Sequence, residues 1–99
     1  MRRTGNRRDV VLSLSGELDL QSTAELEREL AAIRRDRPNR MLLDLSRLEF
    51  MDSTGLALII HAEQAARQEG ISLRLRSGGP QVRRLFELTA VLGRFTFEE

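Results

Sequence analysis

The feature that most constrains the fold is a regular alternation of strand-like and helix-like segments along the chain. Three segments have alternating apolar and polar side chains, which is typical of half-buried β-strands. Each of them is followed by a stretch with apolar residues at helical spacing. This order predicts an α/β fold with crossover connections and largely parallel strand pairing. The strand-like segments are residues 10–16, 41–46 and 71–77, and the helix-like stretches begin at Ser22, Ser53 and Pro80.

Short-range signals mark where the helices begin and end. Ser22 and Glu25 have the spacing of a capping box, in which each side chain bonds the backbone amide of the other residue. The second helix is expected to cover residues 53–69, with Gly70 placed to end it. Residues 47–50 are expected to form a short connection between the second strand and this helix. The third helix is expected to bury Val82, Leu85, Phe86 and Leu88, and a short last strand is expected at Phe95 and Phe97.

Composition limits the classes of function that the chain can have. Its 99 residues are expected to form one domain over residues 1–99, and 40% hydrophobic with 31% charged residues is typical of a soluble globular protein. The absence of cysteine excludes disulfides, and a single histidine, His61, makes a metal site unexpected. We also expect no cofactor. No apolar run is long enough for a membrane helix or a secretory signal. We therefore expect a cytoplasmic protein without membrane insertion.

The basic residues are all arginine, sixteen in number, and the net charge is only +1. Four of these arginines cluster near the N-terminus, which allows an interpretation as a nucleic-acid-binding arm. However, no aromatic residue is interleaved there to stack on bases. We therefore expect no direct nucleic-acid binding and interpret residues 1–9 as a solvated end that is free to fray. The four arginines are Arg2, Arg3, Arg7 and Arg8.

The segment FMDSTGL, residues 50–56, brings reactive side chains together and has to be tested as an active site. Asp52, Ser53 and His61 are the residue types of a hydrolytic triad. However, Met51 stands where a nucleophile elbow needs glycine. His61 lies roughly 12 Å along the same predicted helix, beyond hydrogen-bond reach of the serine. A phosphate-binding loop is excluded because the chain has no lysine. We therefore expect no catalytic residue and no enzyme activity.

Two interpretations of FMDSTGL remain open. In the first, Asp52 or Ser53 caps the second helix by accepting hydrogen bonds from its free amides, and Gly55 lets the backbone pack closely. In the second, one of the adjacent hydroxyls, that of Ser53 or of Thr54, is phosphorylated. A phosphate there is compatible with the fold, because the free amides and the dipole of a helix N-terminus favour an anion. A phosphate would add roughly −1.5 to −2 charges at a surface that a partner uses.

The chain resembles STAS domains, and in particular stand-alone bacterial anti-sigma factor antagonists. The resemblance covers about residues 10–97 and is carried, in this order, by GELDLQSTAELEREL, LLDLSRLEFMDSTGLALII, GISLRLRS and VRRLFELTAVLGRF. It implies a single α/β domain with a four- to five-stranded mixed sheet and three to four helices mainly on one face. Relatives usually have a strand before residue 10, where this chain has only the polar MRRTGNRRD. The first strand is therefore expected to be short or missing.

The resemblance also implies a mechanism. An unphosphorylated antagonist binds an anti-sigma factor that is also a serine kinase, and a sigma factor is released. The kinase then phosphorylates the serine after the aspartate, here Ser53, with Thr54 as a secondary acceptor. The complex dissociates, and a phosphatase acting on phospho-Ser53 resets the switch. Asp19, in GELD, matches an acidic position near the partner surface of relatives. The partner-binding residues implied in this way are Asp19, Asp52, Ser53, Thr54, Gly55 and Leu56.

Two other functions of a STAS domain remain open. GLALIIHAEQAARQEG also reads like the STAS subunit of an ATP-binding-cassette lipid transporter. A scaffold in a larger stress-sensing complex would use the same surface. The protein that binds the domain separates the first of these functions from the antagonist: a transporter ATPase in one case, and a small serine kinase in the other.

Overall fold

The protein folds as a five-stranded sheet with three helices in the residues that the structure describes, which are 1–88 and 95–98. The structure is a computed structural model. The elements, in chain order, are β1 (Arg2–Gly5), β2 (Asp9–Leu18), α1 (Thr23–Arg35), β3 (Arg40–Met51), α2 (Ser53–Gln68), β4 (Ser72–Arg76), α3 (Pro80–Leu88) and β5 (Thr96–Glu98).

The strands lie in the sheet in the same order as in the chain, from β1 at one edge to β5 at the other. β1 is antiparallel to β2, and the three remaining neighbouring pairs are all parallel. Parallel strands that follow one another across a sheet are joined almost always by right-handed crossovers, which places the intervening helices α1, α2 and α3 on one face. The predicted α/β class, with a mixed and largely parallel sheet, is confirmed.

The core lies between the sheet and its helices. Along β2, Val10, Leu12 and Leu14 are buried, whereas Val11 and Ser13 between them are only half-buried on the opposite face. The alternation read from the sequence is thus the alternation of the two sheet faces. The helices contribute apolar side chains to the same core, among them Leu26, Leu30, Ile33, Leu56, Ile59, Ala66, Val82 and Phe86.

The N-terminal segment forms a short edge strand rather than a frayed end. β1 pairs along β2 from Arg2 opposite Ser13 to Gly5 opposite Val10. The Arg3 guanidinium donates a hydrogen bond to a carboxylate oxygen of Asp36, at 2.6 Å, and so connects β1 to the end of α1. The sequence left a short first strand or its absence open, and the strand is present. Its four residues are all exposed, which is why no apolar pattern reveals it.

β3 continues five residues beyond its predicted end, so the prediction that residues 47–50 form a connection is wrong. The pairing of β3 with β2 contains two register shifts. As a result, the buried residues Leu45, Leu48 and Met51 are spaced by three rather than by two. A search for strict alternation ends at the first of these shifts, although the strand itself does not.

The predicted capping box at the start of α1 does not form. Ser22 has helical backbone angles, with φ −91° and ψ −13°, and its side chain makes no capping hydrogen bond. A capping serine instead has extended angles that aim its hydroxyl at the free amides of the helix. The Ser22 hydroxyl accepts a hydrogen bond from the Asp19 N–H at 2.9 Å. This hydroxyl therefore belongs to the turn before the helix.

The boundaries predicted for the other two helices are close to those observed. α2 begins at Ser53 and ends one residue before the predicted position, and Gly70 follows with a φ of +76° that suits a glycine. Pro80 is the first residue of α3. Leu88 is 71% exposed, so its predicted place in the buried stripe of α3 is wrong. The part of the STAS-like sequence at residues 89–94 lies outside the described residues.

The sheet face opposite the helices carries ion pairs. Asp44, between two buried residues of β3, accepts hydrogen bonds from the Ser46 N–H at 2.9 Å and from Arg76 of β4 at 3.1 Å. Burial opposes ionisation of this carboxyl, but the hydrogen bonds from Ser46 and Arg76 outweigh burial and lower its pKa from the usual 3.8. Asp44 is therefore expected to stabilise the fold in its charged form. Two further pairs on the sheet are Arg40 with Asp9 and Arg74 with Glu98.

Replacing Asp44 by asparagine is expected to make stability less dependent on pH in acid. Because the pKa of Asp44 is lowered in the folded chain, its carboxylate stabilises the fold above about pH 4, and this stability is lost as the pH falls through the folded pKa. Urea unfolding of Asp44→Asn should therefore show a lower free energy at neutral pH and a shallower decline towards about pH 2. Arg76→Gln should change the slope in the same direction but less, because the Ser46 hydrogen bonds remain. Identical pH slopes for wild type and Asp44→Asn would contradict this role.

Candidate functional site

The carboxyl ends of β2 and β3 bring the predicted site residues to one edge of the sheet. Leu18, the last residue of β2, is paired with Met51, the last residue of β3. The Asp52 N–H extends this pairing by donating a hydrogen bond to the Leu18 carbonyl oxygen at 3.2 Å. Asp19 and Asp52 each follow directly after these paired residues. The two acidic positions that the sequence singled out are therefore neighbours in space.

Asp52, rather than Ser53, caps helix α2. Its backbone is extended, with φ −100° and ψ −177°, and its carboxylate oxygen accepts a hydrogen bond from the Gly55 N–H at 3.0 Å. The Asp52 carbonyl oxygen also accepts the Leu56 N–H at 3.1 Å, the first turn of the helix. The capping interpretation of the motif is thus confirmed, and the residue that caps is the aspartate.

Ser53 is the first residue of α2, and its side chain is exposed. Within residues 1–88 and 95–98, the Ser53 hydroxyl has no hydrogen bond. Thr54 comes next and is half-buried. A hydroxyl that is exposed and is not required by the fold is chemically suited to modification, and a phosphate at this position would lie at the positive end of the helix dipole.

Gly55 lets α2 approach the end of the sheet closely. A Cβ at this position would lie 2.8 Å from Leu18 Cγ, 2.9 Å from the Leu18 carbonyl oxygen and 2.9 Å from Met51 Cγ. Leu56, the next residue, is 3% exposed and packs in the core. Gly55 and Leu56 therefore anchor the start of α2 to the core, and they expose almost no surface to a partner.

Asp19 is half-buried and organises the turn between β2 and α1. One carboxylate oxygen accepts the backbone amides of Gln21 at 3.0 Å and of Ser22 at 3.2 Å. The Ser22 hydroxyl also donates to the Glu17 carbonyl oxygen at 3.1 Å, which fastens the turn to the strand before it. The Asp19 carboxylate is therefore held in a fixed position next to the start of α2.

Sequence reasoning missed two residues at this edge. Leu20, in the turn after Asp19, is 72% exposed, and a leucine that fits neither a strand nor a helix pattern was a signal that could have revealed it. Gln81, in the first turn of α3, bonds both backbone groups of Met51. No local sequence pattern indicates this contact, because the two residues are 30 positions apart.

His61 does not contribute to the site. It is exposed on α2, two turns beyond Ser53, and lines a shallow groove with Glu27 and Arg34 of α1. In the described part of the chain, no group of three histidine or acidic residues could hold a metal ion. Among the same residues, no helix is long and apolar enough to cross a membrane.

Comparison with known proteins assigns the fold to a family. The chain matches the family described as Mlab, STAS domain, over residues 1–93. It belongs to the STAS domain family. A relative at the sequence level is the anti-sigma-B factor antagonist of Staphylococcus aureus (strain NCTC 8325 / PS 47), which is 32% identical over 80 residues, or 81% of this chain and 74% of the relative. The resemblance inferred from the sequence is thus confirmed.

Solved structures of anti-sigma factor antagonists have the same STAS fold. The antagonist from Mycobacterium paratuberculosis is 29% identical, with a TM-score of 0.82 over 97% of this chain and 81% of that chain. SpoIIAA in its unphosphorylated form is 21% identical, with a TM-score of 0.84 over 99% of this chain and 87% of that chain. The phosphorylated form of Bacillus SpoIIAA is 22% identical, with a TM-score of 0.76 over 99% of this chain and 90% of that chain. The SpoIIAA similarities show the fold alone. The relatives named here are antagonists, which are regulatory proteins.

Replacing Gly55 by alanine is expected to destabilise the STAS domain by roughly 1–3 kcal/mol, since the new methyl group would press on a backbone oxygen that cannot move aside. At about 4–8 °C per kcal/mol for a domain of this size, thermal unfolding should shift down by several degrees. Gly79→Ala is the matched control, because a Cβ there meets nothing within 4 Å. Equal melting temperatures for the two variants would mean that α2 does not approach the sheet this closely.

Proposed function

We propose that this STAS domain is an anti-sigma factor antagonist that binds an anti-sigma factor with serine kinase activity, so that a sigma factor is released. In the proposed cycle, which takes place in the cytoplasm, the kinase phosphorylates Ser53 and the complex dissociates. A phosphatase acting on phospho-Ser53 restores the binding form. The observation that carries the proposal is the exposed Ser53 hydroxyl, which is free of hydrogen bonds to the described residues and follows an aspartate that already caps α2.

The charges at the site support a switch that acts on the interface. Asp19 and Asp52 lie at the same sheet edge as Ser53. A phosphate on Ser53 would add roughly −1.5 to −2 charges beside these two carboxylates. A partner surface that fits the unphosphorylated site would then face a concentration of negative charge. A change of about 1.4 kcal/mol in binding free energy is already tenfold in affinity, and couplings of about 1 to 3 kcal/mol are typical of such switches.

The position of Ser53 also supports a switch that leaves the fold intact. Its side chain points away from the core, while the neighbouring Gly55 and Leu56 carry the packing. SpoIIAA, which shares this fold, has been solved in both its unphosphorylated and its phosphorylated form. Both forms of SpoIIAA superimpose on this chain, with TM-scores of 0.84 and 0.76. Phosphorylation is therefore compatible with this architecture.

The proposed contact surface consists of the exposed and half-buried residues at this edge. Asp19, Asp52, Ser53 and Thr54 provide its polar part, and Leu20 provides an apolar side chain that projects into solvent. Exposed apolar side chains next to fixed polar groups are typical of protein–protein contacts. In this proposal Gly55 and Leu56 contribute by holding the surface in shape.

The central test is capture of partners from native lysate by immobilised wild type, Ser53→Ala and Ser53→Asp. Wild type and Ser53→Ala should hold a small ATP-dependent serine kinase, because neither carries a negative charge at position 53. Ser53→Asp should hold at least tenfold less of it, since the added carboxylate partly reproduces the charge of the phosphate. When Mg-ATP is added, the captured kinase should label wild type with phosphate, and Ser53→Ala should remain unlabelled.

One control variant and two contrary outcomes make this result specific. Thr54→Ala should still be labelled and released on phosphorylation, which separates Ser53 from the neighbouring hydroxyl. If all variants instead captured a transporter ATPase equally, the lipid-transporter alternative would replace the antagonist. Labelling that persists in Ser53→Ala but disappears in Thr54→Ala would move the switch to the threonine.

Leu20 is expected to contribute to partner binding without contributing to stability. Truncation to alanine removes an exposed apolar side chain, so the melting temperature should stay within about 1 °C of wild type. The affinity for the captured kinase should fall roughly 3- to 30-fold, the effect of losing about 0.7–2 kcal/mol of apolar contact. The matched control is Leu88→Ala, since Leu88 is 71% exposed on α3. Equal affinities for the two variants, measured by isothermal titration calorimetry, would remove Leu20 from the surface.

A further inference from the structure

The last half of β3 has a strand neighbour on one side only. β4 ends opposite Asp44, where the last pair of the two strands is Asp44 with Arg76. β3 then continues to Met51 and remains paired only with β2. Because the Asp52 N–H is directed to Leu18 of β2, the N–H and carbonyl of Met51 are directed to the other side, where β4 is no longer present.

The side chain of Gln81 takes the place of the missing strand. Its Oε1 accepts the Met51 N–H at 3.0 Å, and its Nε2 donates to the Met51 carbonyl oxygen at 2.9 Å. The primary amide thus supplies one donor and one acceptor to a single residue, as a neighbouring strand would. Without it, both backbone groups of Met51 would lose their partner within the described residues, which destabilises this part of the strand.

The start of α3, which carries Gln81, is itself fixed against β3. A Cβ on Gly78 would lie 3.0 Å from the Leu45 carbonyl oxygen and 2.9 Å from Val82. The turn before α3 therefore approaches the strand so closely that only glycine fits there. Gln81 therefore reaches Met51 from a turn that is packed closely against β3.

Met51 is also close in sequence to Ser53, the proposed site of phosphorylation. It precedes the capping residue Asp52 and stands two positions before Ser53. Its side chain is fully buried, and its Cγ lies against Gly55 of α2. The backbone that presents Ser53 is consequently held by Leu18 on one side and by Gln81 on the other.

We propose that Gln81 is a positioning residue for Ser53: through Met51 it holds the strand end in the orientation from which the kinase phosphorylates the serine. The inference rests on the proposed function. Gln81 takes no part in the chemistry of phosphate transfer. It restricts the range of positions that the Ser53 hydroxyl samples when the kinase is bound, and a well-oriented acceptor reacts faster than a mobile one.

The first measurement needs only the purified protein. Gln81→Met keeps the length of the side chain and removes both hydrogen bonds, and Gln68→Met on the exposed end of α2 is the matched control. Losing the hydrogen bond to its amide should speed hydrogen exchange of the Met51 N–H roughly 3- to 10-fold in Gln81→Met, whereas Gln68→Met should exchange like wild type. The amide of Leu43, in the centre of the sheet, should be unchanged in both variants. Unchanged exchange at Met51 in Gln81→Met would overturn the inference.

The second measurement is phosphorylation by the serine kinase that wild type captures, with Mg-ATP, well below the melting temperature of every variant. Gln81→Met should lower kcat roughly 3- to 10-fold and leave KM within about twofold, because the contact surface around Asp19 and Leu20 is unchanged. Gln81→Glu, which can still accept the Met51 N–H, should lie between Gln81→Met and wild type. Faster Met51 exchange with wild-type kcat would mean that Gln81 only stabilises the strand, which overturns the positioning role.

The two measurements also separate this inference from the proposed function. If no kinase labels even wild type, the proposed function fails and the positioning role falls with it, whatever the exchange data show. If wild type is labelled on Ser53 and Gln81→Met is labelled at the same rate, the proposed function stands and the inference alone is rejected.

Discussion

The parallel pairing of the last residues of β2 and β3 is the contact on which the candidate site depends. The hydrogen bond from the Asp52 N–H to the Leu18 carbonyl oxygen makes the two strands end together. α2 therefore starts beside the turn that follows β2, and Gly55 allows it to approach without a side chain in between. A slip of one residue in this pairing would turn Met51 out of the core, because successive side chains point to opposite faces of the sheet. The same slip would separate Ser53 from Asp19 and the turn that follows β2.

The capping and switch interpretations of FMDSTGL are compatible, because different residues carry the two roles: Asp52 caps the helix, and Ser53 is the proposed site of modification. Asp52 satisfies the free amide of Gly55, a contact typically worth about 0.5–2 kcal/mol. Since the cap is supplied one residue earlier, the Ser53 hydroxyl is not required for the start of the helix. A serine that did the capping itself would lose its hydrogen bond on modification, and the helix would lose stability. Helix formation and the proposed modification are thereby assigned to different side chains.

Features that rest on local chemistry could be predicted from the sequence, and features that rest on distant contacts could not. The start of α2 was visible because an aspartate, two hydroxyl residues and a glycine precede a helical apolar pattern. The full length of β3 was hidden, because two register shifts interrupt its period of two. β1 was hidden because an edge strand of exposed residues has no apolar pattern. The contact of Gln81 with Met51 joins residues 30 positions apart, and Gln81 alone looks like an ordinary exposed helix residue.

The hydrogen bonds at the site also limit where a phosphate on Ser53 would point. The Asp52 carboxylate already occupies the Gly55 N–H, and the Asp19 carboxylate already occupies the amides of Gln21 and Ser22. A phosphate that turned inward towards the Gly55 N–H would have to displace the Asp52 cap and approach two fixed negative groups, which is unfavourable at short range. A phosphate that turned outward would keep every one of these contacts. The lower-energy arrangement therefore directs the added charge towards the surface that a partner would cover, and the domain beneath it remains as it was.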